Sequence, residues 1–320
     1  MAESFQLEDG MKNIAVLVAM VVLSCTGWGQ DAQGSAGRQQ RLKDIIDKVK
    51  AVSPDGAANL MLMRQVITQE PLTGSGYLRD KVQPFKDVAW QALKDFVSIQ
   101  LCADLIMAKG TRPQAAKDAV RALGGLIGWG DMAAELFATA EIKNIPAKRP
   151  FDEFTGLMYT GLGKVILTSS ESDWPPAVTG SDKNAELQAL ENVSPKTVKD
   201  ILVTRELVKQ TATGTANAAV DQEIADAKKL AVDSLTNWAG MELFADLLIA
   251  RENEDKNVPA ALKVISGPKY ATAKIALDNA FAEGAQIGPE LGNVTMRVWG
   301  WLAPEIRETV VRLTSAGSSS

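Results

Sequence analysis

The chain has 320 residues, 46% of them apolar and 23% charged, with a net charge of −5; it is long enough for one large core or two smaller ones. It has no histidine and two cysteines, Cys25 and Cys102, which excludes Ser-His-Asp and Cys-His nucleophilic sites, His-containing metal centres, four-cysteine metal sites and a disulfide framework. Lys, Arg, Asp and Glu are interspersed without a basic tract, so no nucleic-acid partner is expected, and no motif calls for a cofactor or a metal.

The first element is an apolar run, Ile14–Leu23, preceded by Lys12 and followed by Ser24, Cys25, Thr26 and Gly27. At about ten residues it is half the roughly 20 that a spanning helix needs. A basic residue, a short apolar stretch and a small-residue exit describe a secretory signal peptide, leaving no transmembrane span in the mature chain. The acidic prefix Met1–Gly10 departs from that pattern and points to Met11 as the working start. Val22-Leu23-Ser24-Cys25 resembles the bacterial lipobox, and the resemblance implies a lipid anchor on Cys25. Plain cleavage near Gly27 or Gly29 is the alternative. Residues 26–37 are rich in Gly, Ser and Gln and read as a tether, so residues 1–37 form a leader outside the fold.

Two related helical units follow. "VSPDGAANLMLMRQ" begins at Val52 and "VSPKTVKDILVTRE" at Val193, about 141 residues later. At nearly the same separation "LCADLIMAKG" (Leu101–Gly110) falls on "LFADLLIARE" (Leu243–Glu252). Phe137-Ala138 meets Phe281-Ala282, and "LTS" closes both halves at Leu167 and Leu313. Several matches in order predict a tandem duplication of a roughly 130-residue unit, residues 38–169 and 183–315, joined by a polar linker at 170–182 and ending in a tail at 316–320.

Each unit reads as all-α. Ser53-Pro54 and Ser194-Pro195 supply a Ser N-cap with Pro at the first helical position. Phe85, Val88, Ala89, Ala92, Leu93, Phe96 and Ile99 recur at helical spacing, with Pro84 expected at the start of that helix. Arg112-Pro113 breaks before the Ala-rich "QAAKDAVRAL". No alternating strand pattern is found. "ALGGLI" at Ala122 and "GLGKVI" at Gly161 lie about 39 residues apart, with "AALKVI" at Ala260 as a looser case. These phrases resemble HEAT-type hairpin repeats, which implies an α-solenoid; two compact helical bundles are the alternative.

Among the recurring residues, Arg64 matches Arg205 and Asp104 matches Asp246. A charge in an apolar helix face needs a partner, so structural ion pairs Arg64–Asp104 and Arg205–Asp246 are expected, against the alternative of solvated helix faces. Trp299 and Trp301 point to different helix faces and are candidates for partner binding. Cys102, matched by Phe244, reads as a buried, inert thiol. Ser266-Gly-Pro-Lys269 fits S-x-x-K but lacks the companion elements of that catalytic site. "ARENEDKN" (Ala250–Asn257) lacks the spacing of a calcium loop.

With the common catalytic constellations missing, the expected function is an exported bacterial binding or scaffolding module at the cell envelope, periplasmic or lipid-anchored, with a protein partner. The alternatives are a periplasmic carrier with an apolar pocket between the units and a hydrolase using only carboxylates.

Overall fold

The computed structural model describes residues 35–68, 76–125, 130–142, 149–168, 184–210, 214–283 and 289–316. Residues 1–34 of the leader, with Cys25, and the linker at 170–182 lie outside the described residues, as does the tail beyond 316; the last three residues assigned to the leader, Ser35–Gly37, are the first of a helix. The described residues are helical throughout, with no strand among them. No helix among them is long and apolar enough to cross a membrane.

The first half runs through α1 (Ser35–Lys50), α2 (Pro54–Thr68), α3 (Gly76–Thr111), α4 (Pro113–Gly125), α5 (Gly130–Thr139) and α6 (Arg149–Thr168). The second runs through α7 (Ala185–Glu191), α8 (Pro195–Lys209), α9 (Ala218–Glu252), α10 (Val258–Ser266), α11 (Tyr270–Glu283) and α12 (Pro289–Ser315), with a 3-10 turn at Gly267–Lys269 before α11. The order of α2, α3, α5 and α6 recurs in α8, α9, α11 and α12, and the lengths match closely for α2 and α8, 15 residues each, and for α3 and α9, 36 and 35. The first helix departs most, since α1 has 16 residues and α7 has 7.

Local chemistry explains the boundaries. α2 and α8 begin at Pro54 and Pro195, where the missing N–H costs nothing. α9 is capped by Asn217, whose side chain accepts from the N–H groups of Ala219 and Val220. Thr215 adds a second stop, giving its N–H and hydroxyl to Asp221 at 2.6 and 2.7 Å. Arg112 lies between α3 and α4 and donates to the carbonyls of Ala51 and Val52, tying that corner to the end of α1. Pro84 falls inside α3, eight residues after its start at Gly76, and does not begin the helix as its position in the sequence predicts. The turns before it are held by packing: Leu78 is 1% exposed and lies in the core of the second half, and Val82 is buried in the core of the first.

The two long helices, α3 and α9, pack against each other and organise the rest. They run antiparallel. Lys86, near the start of α3, sits over the Trp238 ring in the C-terminal half of α9, while Val220, Ile224 and Ala231, from the start of α9, belong to the core built by α1–α6. Leu93 and Leu235, equivalent positions in the two halves, are both fully buried in that shared core. α12 returns onto α8 and α9, and α6 onto α3. These contacts fold the later helices of each half back onto its long helix.

Gly240 lies at a close approach of α12 to α9. A Cβ there would stand 2.7 Å from Ile306 Cγ2 and 3.0 Å from Trp299 Cη2. Gly156, on α6, has open space at the same position. Both are helical, so Ala gains about 1 kcal/mol of propensity at each, but overpacking costs ~1–3 kcal/mol where the interior cannot yield. In urea melts Gly156→Ala is expected to stabilise by ~0.5–1 kcal/mol and Gly240→Ala to destabilise on the order of 1 kcal/mol.

Candidate functional site

The recurring serines and aspartates meet in both halves. Ser53 accepts from the Gly56 N–H at 3.0 Å and donates to Asp104 of α3. Ser194 donates to Asp246 of α9 in the same way. Each serine thus ties the start of a short helix to the middle of the long one. The halves differ in the cap itself. Ser194 makes no bond to a backbone N–H of α8; its Oγ lies 2.7 Å from the Thr197 hydroxyl, at the position that Gly56 holds in the first half. A Cβ on Gly56 would stand 2.4 Å from Ser53 Oγ, so a side chain at that position displaces the cap bond.

The arginines expected to pair with these aspartates are both buried, Arg64 at 6% and Arg205 at 4% exposure. Among the contacts of the aspartates are Ser53 and Gln100 for Asp104, the latter at 2.9 Å, and Ser194 for Asp246. Arg205 Nε lies 3.5 Å from Glu206 Oε1.

Around this shared frame the second half carries an acidic cluster that the first half lacks. Asp200 on α8 and Glu242 on α9 occupy the positions of Asn59 on α2 and Gln100 on α3. Asp200 is fully buried and Glu242 is 2% exposed, on helices packed against each other. Burial pushes Glu242 above the usual carboxylate range, with Asp200 and the charges of Lys196 and Lys86 acting against it. Burial also pushes Asp246 up to about 7, opposed by the Ser194 bond and reinforced by the charge of Glu242. Lys86 reaches this cluster from α3 in the other half, and its own burial lowers its pKa. The signal for Asp200 and Glu242 was present in the alignment of the two halves, as acids standing opposite amides within otherwise apolar helix faces.

The contacts across the halves are reciprocal. Lys86 of α3 faces Lys196, Asp200 and Glu242 of α8 and α9. Its counterpart Lys228 of α9 faces Asp55 of α2 and donates to the Gln210 carbonyl. Gln210 Nε2 in turn donates to Asn59 Oδ1 at 2.6 Å. This is the arrangement of an isologous interface, drawn within one chain.

Beside that contact, α2 and the end of α8 enclose a groove of about 380 Å³. Ala58, Met61 and Leu62 form its apolar side, and Asp55, Gln65, Glu206, Lys209 and Gln210 its polar one. A smaller groove of about 280 Å³ lies among α9, α10 and α11. Its charges are matched within the fold, since Asp278 takes Arg251 at 3.1 Å and Lys274 at 2.5 Å.

The remaining candidates sort by exposure. Trp299 is half-buried between Phe85 and Phe244, with ring centroids 6.2 Å from each, and serves as the joint between α3, α9 and α12. Trp301 is 67% exposed. Cys102 is buried and its thiol is pushed well above the ordinary range, so it is not a thiolate nucleophile. Ser266 is buried and donates to the Leu262 carbonyl at 2.6 Å, while Lys269 is bound to Glu305 at 2.5 Å; the S-x-x-K phrase is the end of α10. Among the described residues no group of three or more Asp, Glu or Cys side chains is placed to hold a metal ion.

No family model, characterised protein or solved structure matches this chain.

The Asp246 carboxyl titrates near 3.9 when unfolded and at about 7 when folded. Between those values the folded chain holds the extra proton, so this group's contribution to stability falls as pH rises from about 4 to about 7 and is level above. Asp246→Asn keeps an acceptor for Ser194 and removes the titration. The stability of the variant relative to wild type, from urea melts at pH 4.5 and 7.5, is expected to rise with pH by on the order of 1 kcal/mol.

Proposed function

We propose that the protein is an exported binding module of the bacterial cell envelope and that its site is the groove between α2 and α8. The observation that carries this reading is the groove's position and make-up: about 380 Å³ where the two halves meet, with an apolar side of Ala58, Met61 and Leu62 facing polar Gln65, Glu206 and Lys209. Two helices with an open apolar furrow between them offer a seat for a third, and an amphipathic helix of a protein partner would bury its apolar face there. The leader, with the lipobox-like sequence ending at Cys25, supports an envelope location. Lipid on Cys25 would tether the fold through the residues ahead of α1, which begins at Ser35; plain cleavage would leave it periplasmic.

A small apolar ligand carried in the same groove is the second reading, favoured by a volume within the ~300–1,000 Å³ range of small-molecule sites. The Asp200–Glu242 pair does not favour a hydrolase, because its carboxyls are at most 2% exposed and closed to substrate.

A photo-crosslinker at exposed Ala58 separates these readings. Crosslinking to one protein in intact cells is expected, and Ala58→Trp, which fills the furrow, should abolish the partner's retention while moving Tm by less than about 2 °C. A small molecule co-purifying in native mass spectra and lost in Ala58→Trp would favour the carrier. If neither a crosslinked protein nor a co-purifying molecule is found, the groove is not the binding site.

A further inference from the structure

The two halves share a frame and differ in charge. Residues 38–169 carry 18 Lys and Arg against 14 Asp and Glu, whereas residues 183–315 carry 15 against 18. A duplicated fold whose halves have opposite net charge is electrically polar.

The fold gathers much of the positive charge on α1 and α4, which pack against each other. Arg41, Lys43, Lys48 and Lys50 of α1 are exposed. So are Lys117 and Arg121, one turn apart on α4, and Arg112, which ties the start of α4 to the end of α1. Lys43, Lys48, Lys50, Lys117 and Arg121 make no ion pair among the described residues. Three acids stand among these cations, Asp44, Asp47 and Asp118. Asp44 and Asp118 accept from the neutral amides of Gln40 and Gln114, at 2.7 and 2.9 Å. α5, packed on α4, adds exposed Asp131 and Glu135; with them the cations still exceed the acids, seven to five. The equivalent pair in the second half, α7 and α10, carries Glu186, Glu191 and Lys263 instead, with Glu186 bound to Arg312 at 2.8 Å.

The position of this face suits one kind of partner. α1 is the first described helix after the leader, and nine residues lie between Cys25 and Ser35. Fully extended, that stretch reaches at most about 35 Å, so a lipid on Cys25 holds the basic face close to a bilayer. Clustered Lys and Arg next to a membrane anchor are attracted to anionic headgroups. We propose that the α1–α4 face docks on the anionic lipid surface of the membrane, with the acidic second half turned away from it. The docking rests on the envelope location proposed above and is independent of the groove between α2 and α8.

Co-sedimentation with lipid vesicles tests the face, using the full chain with Cys25→Ser so that no attached lipid contributes. Binding to vesicles of phosphatidylglycerol and phosphatidylcholine is expected to be about tenfold or more tighter than to phosphatidylcholine alone, and to weaken as salt is raised. The triple variant Lys43→Gln, Lys48→Gln, Lys117→Gln should lose about tenfold or more of that binding while its Tm moves by less than about 2 °C. Lys199→Gln, Lys256→Gln, Lys263→Gln removes the same charge from exposed positions of the second half and should leave binding within about twofold. Equal binding to both vesicle types, or equal loss in both triple variants, overturns the proposal. So does tighter binding to a short DNA duplex than to the anionic vesicles at the same salt. Cell fractionation tests the envelope reading separately. A cytoplasmic protein sinks that reading and the docking with it, whereas an envelope protein that ignores anionic vesicles sinks the docking alone.

Discussion

The antiparallel contact of α3 with α9 is the constraint on which the remaining structure depends. Each long helix belongs to both halves. The start of α3 places Leu78 in the core of the second half, and the start of α9 places Val220, Ile224 and Ala231 in the core of the first. Neither half completes its core alone, because part of the apolar surface that fills each one is supplied by the other. Helices that lean on this pair take their positions from it: α8 and α12 on one side, α2 and α6 on the other. The groove between α2 and α8 exists because the reciprocal arrangement brings two equivalent helices side by side without closing the space between them.

Within this nearly symmetric frame the polar interior is where the halves differ. Ser53–Asp104 and Ser194–Asp246 are the same device, a serine at the head of a short helix bound to an aspartate in the long one. The Asn59/Asp200 and Gln100/Glu242 exchanges change charge while barely changing volume, so packing tolerates them and electrostatics does not. Burial then raises the carboxyls and lowers Lys86, each in the direction that reduces buried charge. The aromatic joint differs in kind: Trp299 touches Phe85 from one half and Phe244 from the other, so its role is to hold α12 on the long pair.

Parts of the site were legible in the sequence and parts were not. The helix starts at Pro54, Pro113 and Pro195 could be read because a proline acts on its own backbone and needs no partner. The placing of Pro84 could not, since what keeps α3 helical ahead of it is Leu78 in a core more than a hundred residues away along the chain. The recurrence of Asp104 and Asp246 was visible, but their hydroxyl partners were not. The serines already had a local role as helix caps, and only the crossing of the helices shows their hydroxyls aimed at the aspartates. The closeness of Asp200 and Glu242 stayed hidden for the same reason: 42 residues of sequence separate two acids that meet only where α8 packs on α9.

The sequence by itself determined that the chain is all-α, where several helices begin, which histidine-dependent chemistries are closed to it and which segments recur. These follow from composition, backbone restriction and helical period, which act locally. The tertiary structure decided that the recurring segments interlock, that α3 and α9 run antiparallel through one another's cores, and that a buried carboxyl pair lies against a lysine from the other half. An apolar helix face carries no mark of which neighbour it will cover, and a buried acid none of which cation will meet it, so these outcomes rest on how all the faces pack at once.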